Sequence, residues 1–143
     1  MNDCRVLLVD DEEDFIEVLA ERLRARGLRA DTAVTGLTAV VKAEETRYDA
    51  IVLDVAMPGM DGIETLERLL ELNPDLQVIL LTGHATLEQA ATAIKMGALD
   101  LIEKPVEIDT LVAKIDDAAH RTWSLEEKRI EERVSDIIRK KGW

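Results

Sequence analysis

Aromatic side chains are scarce in this chain. One Phe, one Tyr and two Trp supply only 3% of its 143 residues, so any core must be aliphatic. Cys4 is the only cysteine. That excludes an internal disulfide and fits a reducing compartment. Positive charge is also in deficit. A net charge of −12 argues against a surface built for nucleic-acid phosphates. The deficit is uneven. Residues 1–121 hold 25 acids against 12 bases, whereas residues 122–143 hold five against six. No apolar run approaches the roughly 20 residues needed to span a bilayer. No basic stretch followed by an apolar one marks the N-terminus as a signal peptide. The expected location is the cytoplasm, with no membrane partner.

What is present is an alternation of short apolar runs and helical patterns. Arg5–Val9, Ala50–Leu53, Val78–Leu81 and Leu101–Ile102 are continuous apolar runs, as in parallel strands covered on both faces. Leu28–Ala33 is a weaker strand expected at a sheet edge. Five helices are expected between and after them. Residues 13–26 place Phe15, Ile16, Leu19 and Leu23 inward, and Gly27 stops the helix. Residues 37–47 place Leu37, Val40 and Val41 inward. Residues 63–72 carry Ile63, Leu66, Leu69 and Leu70 and end at Asn73-Pro74. Residues 86–96 are rich in small side chains and end at Gly97. Residues 107–121 carry Ile108, Leu111, Val112 and Ile115. Five strands alternating with five helices, joined by right-handed crossovers, give an α/β fold: a three-layer, doubly wound (βα)5 parallel sheet.

Residues 122–143 exceed what that fold needs. Trp123, Ile130, Val134, Ile137 and Ile138 recur at helical spacing, and no Pro or Gly intervenes before Gly142. The fifth helix is therefore expected to continue with one apolar stripe. Folding back on its own domain, pairing with another chain and linking to an output module all remain open.

The strand ends carry the chemistry. The first strand enters Asp10-Asp11, the third closes on Asp54, the fourth enters Thr82-Gly83, and the fifth leads to Lys104-Pro105. Ligands of open α/β sheets bind outside the carboxyl ends of strands. Asp10 and Asp11 alone could merely cap a helix. With Asp54 they form three carboxylates in one crevice, whose repulsion a cation relieves. An oxygen-only ligand set without Cys or His favours Mg2+. Asp54 is the best-placed nucleophile, able to form an aspartyl phosphate. Lys104 supplies a point charge and Thr82 a hydroxyl. The backbone N–H groups of Ala56 and Gly83 can donate to a phosphoryl group.

In their order and spacing, LLVDDEEDF (7–15), DVAMPGMDG (54–62), LLTGHA (80–85) and EKP (103–105) resemble the receiver domain of bacterial response regulators. The resemblance spans residues 5 to about 121. It implies a receiver domain at 1–121, a helical extension at 122–143, and a flavodoxin-like sheet of order 2-1-3-4-5. It implies that Asp54 accepts phosphate from a phosphohistidine of a sensor histidine kinase or phosphotransfer protein, catalysing its own phosphorylation and hydrolysis rather than turning over a substrate. It assigns Asp10 (through water), Asp11, Asp54 and the Ala56 carbonyl to Mg2+, Lys104 and Thr82 to the phosphoryl group, and a cis peptide to Lys104-Pro105. Ala56 and His84 would flank the phosphate. One position departs: Leu101 stands where receivers carry Tyr or Phe, which puts the usual readout in question. The alanine-rich fourth helix is expected to be the bistable element. A homodimer through the extension is a further expectation, and direct nucleic-acid binding is not expected.

Two other classes compete. An aspartyl-phosphate phosphatase of the haloacid dehalogenase type would carry its nucleophile after the first strand in D-x-D spacing, which Asp10-Asp11-Glu12 lacks. A flavin module would need a Ser/Thr/Gly-rich loop there and aromatics around the ring.

Overall fold

A computed structural model describes residues 3–55, 62–83 and 87–142. Ten elements alternate along them: β1 Arg5–Val9, α1 Glu13–Ala25, β2 Arg29–Ala33, α2 Gly36–Glu45, β3 Ala50–Asp54, α3 Gly62–Leu72, β4 Val78–Thr82, α4 Leu87–Met96, β5 Asp100–Glu103 and α5 Ile108–Lys140. The strands are parallel and ordered β2-β1-β3-β4-β5. The expected doubly wound architecture and the continued fifth helix are both present.

Continuous apolar strands follow from coverage on both faces. Every residue of β3 and β4 is buried. Along β3, Ala50 and Val52 face one core with Leu19, Leu23, Leu111 and Ile115 of α1 and α5. Ile51 and Leu53 face the other, with Ala39, Leu66, Leu69 and Ala93 of α2, α3 and α4. Burying one such Leu or Ile is worth about 1.5–3 kcal/mol. Cys4 lies in the first core, where burial, aided by Asp49 and Asp116, pushes its thiol up to about 11. It is a small apolar side chain rather than a reactive one.

One face was misjudged from sequence. Leu37 and Val41 of α2 are 59% and 46% exposed, while Gly36, Ala39 and Val40 are buried. Small residues let α2 sit close to the sheet, and that rotates the larger ones outward. Helix α4 buries Ala90 and Ala93 and leaves Ile94 exposed. It ends at Gly97, whose φ of +119° only glycine adopts readily.

Helix α5 passes the amino edge of the sheet and is fastened there. Asp49, just before β3, is 1% exposed. Its carboxylate accepts bonds from the Arg5 N–H (2.8 Å), Arg47 Nη1 (2.8 Å) and Trp123 Nε1 (2.8 Å). Its carbonyl accepts from Thr122 Oγ1 at 2.8 Å. Arg47 also grips Glu126 through two nitrogens, at 2.6 and 2.8 Å. Arg129 pairs with Asp75. Residues 122–129 are thus held on the domain.

Trp123→Phe keeps a ring but removes the donor to a buried carboxylate. A loss of roughly 1.5–3 kcal/mol is expected. A lower urea midpoint with unchanged slope is the measurement. An unmoved midpoint would show that Arg5 and Arg47 suffice.

Candidate functional site

Parallel register brings four strand ends to one edge. Val9 lies between Ala33 and Leu53, Asp54 pairs with Leu81, and Thr82 with Glu103. Asp10 therefore emerges beside Asp54, with Thr82 next in line and Lys104 following β5.

Asp10 is fully buried, and Asp54 and Thr82 are 4% and 3% exposed; Asp11 is exposed. One oxygen from each of Asp10, Asp11 and Asp54 lies within 4.8 Å of the others. Two full charges at 4.8 Å repel by about 3.5 kcal/mol at a surface-like effective dielectric. Lys104 offsets part of this. Its Nζ lies 2.8 Å from Asp10 Oδ2, 3.5 Å from Glu12 Oε1 and 3.9 Å from Asp54 Oδ2. The Phe15 ring centroid is 4.5 Å from the same ammonium, a cation–π contact. Asp10 Oδ1 accepts the Glu12 N–H at 2.9 Å, tying the start of α1 to the site.

The protonation balance follows from these contacts. Burial acts to lower the Lys104 pKa. The hydrogen bond to Asp10 and the charges of Asp10, Asp54 and Glu12 outweigh it, so the value is raised and the ammonium is kept. Asp11 is also raised, first by loss of water, then by the hydrogen bond and charge of Asp10. The Lys104-Pro105 peptide is cis.

Among the described residues the donor set suits a small hard cation: three carboxylates, with no sulfur and no imidazole. Gly83 is exposed, and a Cβ there would lie an ordinary 3.6 Å from Lys104 Cδ, so the described residues leave room for a side chain. Ala56 and His84, expected around the phosphoryl group, lie outside the described residues. Leu101 is half-buried against the α2–α4 core. His120 lies within α5, edge-on to Trp123 with ring centroids 5.5 Å apart.

A family model described as the response regulator receiver domain matches residues 6–116. The chain belongs to this family. Among its relatives is the transcriptional regulatory protein ZraR of Escherichia coli (strain K12), 36% identical over 121 residues, which cover 85% of this chain and 27% of ZraR. The transcriptional regulatory protein PrrA of Mycobacterium leprae is 37% identical over 111 residues, 78% of this chain and 48% of PrrA. The chain thus spans less than half the length of these regulators. A CheY-like receiver structure from Methanospirillum hungatei superposes with a TM-score of 0.81 at 29% identity, covering 85% of this chain and 98% of that one. The five-stranded order described above is that of the receiver fold, and the phosphatase alternative finds no support.

Sequence reasoning left three members of this receiver's polar network without a role. Glu12 approaches Lys104, and its place directly after two aspartates was the available signal. Phe15 was read only as core, yet it also faces the ammonium. Asp49 organises the opposite edge. No short pattern marks it, because its partner Trp123 lies 74 positions away.

Proposed function

We propose that this receiver takes a phosphoryl group onto Asp54 from a phosphohistidine on a sensor kinase or phosphotransfer protein, with Mg2+ as cofactor. The observation that carries the proposal is the meeting of Asp10, Asp11 and Asp54 within 4.8 Å, with Lys104 between Asp10 and Asp54. An Asp54 oxygen attacks phosphorus, a P–O bond forms, the P–N bond breaks, and the imidazole leaves and takes a proton from solvent. Lys104 neutralises charge on the transferred oxygens and Thr82 donates its hydroxyl to one of them. The Ala56 and Gly83 N–H groups are assigned the remaining oxygens. Asp11, Asp54 and the Ala56 carbonyl would hold the metal, with Asp10 acting through water. The metal supplies charge neutralisation of the phosphoryl oxygens. Water attack on the acyl phosphate returns the resting state, so the chain catalyses its own modification without turning over a separate substrate.

Residues 1–121 form the receiver unit in this reading, and 122–143 the extension that carries output. The cytoplasm is the proposed location, consistent with the absence, among the described residues, of a helix long and apolar enough to cross a membrane. The deciding experiment is incubation with acetyl phosphate and Mg2+ followed by intact-mass measurement.

Metal binding has its own test. Mg2+ at 100 times its dissociation constant is expected to stabilise the fold by about 2.7 kcal/mol. Without metal, folded Asp11 holds its proton more tightly than unfolded Asp11. Its own contribution is greatest below the ordinary aspartate range and is lost as pH rises through its raised pKa. Mg2+ needs the deprotonated form, so its stabilisation should grow with pH across that same window. Melting curves with and without Mg2+ measure both trends. A Mg2+ effect independent of pH would remove Asp11 from the ligand set.

A further inference from the structure

Beyond Arg129 the residues of α5 are exposed, and Ile130, Val134, Ile137 and Ile138 are between 38% and 63% so. A bare segment this short is a marginal helix in water unless its apolar face is covered. Residues 128–141 hold six bases and three acids, a net +3 on a chain whose first 121 residues are strongly acidic. The complementary surface lies between α2 and α3. A groove there is lined by Val40, Leu72, four glutamates (Glu44, Glu64, Glu67 and Glu71) and Arg68, a net charge of −3. Leu37 and Val41 share the Val40–Glu44 face of α2 by helical spacing, and both are exposed. The groove therefore offers Val40 and Leu72 with four carboxylates and one guanidinium around them, and exposed Leu37 and Val41 lie beside it. The tail offers an apolar stripe with Arg133 and Lys140 along one flank.

We propose that the α5 tail of each chain lies in the α2–α3 groove of a second copy, reciprocally about a two-fold axis. Helices that follow parallel strands run from the carboxyl to the amino edge of the sheet, and α5 continues past that edge. A copy inverted end to end sends its tail back along α3, antiparallel to it. The lengths agree. Ile130–Lys140 and Gly62–Leu72 are each eleven residues, about 16 Å along the axis. Pairing of tail with tail fits worse. Its seam would read Glu127, Ile130, Val134, Ile137, Lys141, three apolar layers closed by a charge at either end. Parallel pairing sets Glu126 against the partner's Glu131. Antiparallel pairing sets Arg133 and Lys140 among their own counterparts. The contact is independent of the chemistry at Asp54.

Sedimentation of the full chain tests this. The native protein should sediment at twice the monomer mass, with a dissociation constant that rises at least about tenfold from low to high salt. The groove pair Glu67→Lys/Glu71→Lys and the tail pair Arg133→Glu/Lys140→Glu should each be monomeric. An equimolar mixture of the two should recover the dimer, because both reciprocal contacts then join opposite charges. Circular dichroism melts confirm that each variant is folded, and Ile137→Asp, which leaves the groove unaltered, should give the same monomer. A monomeric native chain overturns the proposal. So does a groove variant that stays dimeric, which is the tail-to-tail outcome, and so does a mixture that stays monomeric.

Discussion

Asp54→Asn is expected to gain no phosphoryl group from acetyl phosphate and Mg2+, where the native receiver gains one. The substitution is nearly isosteric, and the side chain it replaces is 4% exposed at the end of a fully buried strand. Packing should therefore survive. What disappears is the anionic nucleophile, since an amide oxygen does not attack phosphorus at a useful rate. One of three crowded negative charges disappears as well, so the metal-free fold should lose none of its stability. Intact mass shows the first effect and thermal melting the second. Two outcomes would sink the assignment: an equal mass gain on the variant, or a phosphoryl group mapped to Asp10.

The other large effect is structural. Gly62→Ala is expected to cost on the order of 3 kcal/mol or more, beyond the usual range for overpacking and a large share of a total near 5–15 kcal/mol. A Cβ at Gly62 would stand 2.2 Å from Val55 Cα, 2.5 Å from the Asp54 carbonyl oxygen and 2.7 Å from the Val55 carbonyl carbon. All three are backbone atoms, so no rotamer change relieves the overlap. The Gly62 N–H to Val55 carbonyl bond of 3.1 Å holds the two segments together. To make room, the first turn of α3 must lift away or the end of β3 must yield. Since Asp54 sits on that end, phosphoryl acceptance should fall together with the melting temperature. Gly83→Ala is the control. Among the described residues its Cβ meets only Lys104, at ordinary distance, and stability should stay within about 0.5 kcal/mol. Equal melting temperatures for the native chain and Gly62→Ala would refute the steric argument.

The sheet and the convergence of its strand ends were legible because they rest on period and order. Uninterrupted apolar runs such as Ala50–Leu53 mark strands buried on both faces. Parallel crossovers then bring every carboxyl end to the same edge, so Asp10, Asp54, Thr82 and Lys104 had to meet once the elements were right. The facing of α2 was less legible. Its apolar stripe admits two rotations, and the choice was made by how closely Gly36 and Ala39 could approach the sheet. Periodicity does not encode that distance. The anchoring of α5 was invisible for another reason. Asp49 and Trp123 are 74 positions apart, and neither belongs to a short pattern. Only the folded path of the chain makes them neighbours.

Strand β3 places one acid before its first residue and another at its last. Asp49 fixes the outgoing helix and Asp54 faces the reactive edge, with only four buried residues between them. Exchanging what the helix carries beyond Arg129 should therefore leave reactivity untouched, because the joint and the reactive pole occupy opposite ends of one stiff rod. That separation makes the unit portable: a different downstream passenger can be grafted onto α5 while the front end keeps its chemistry.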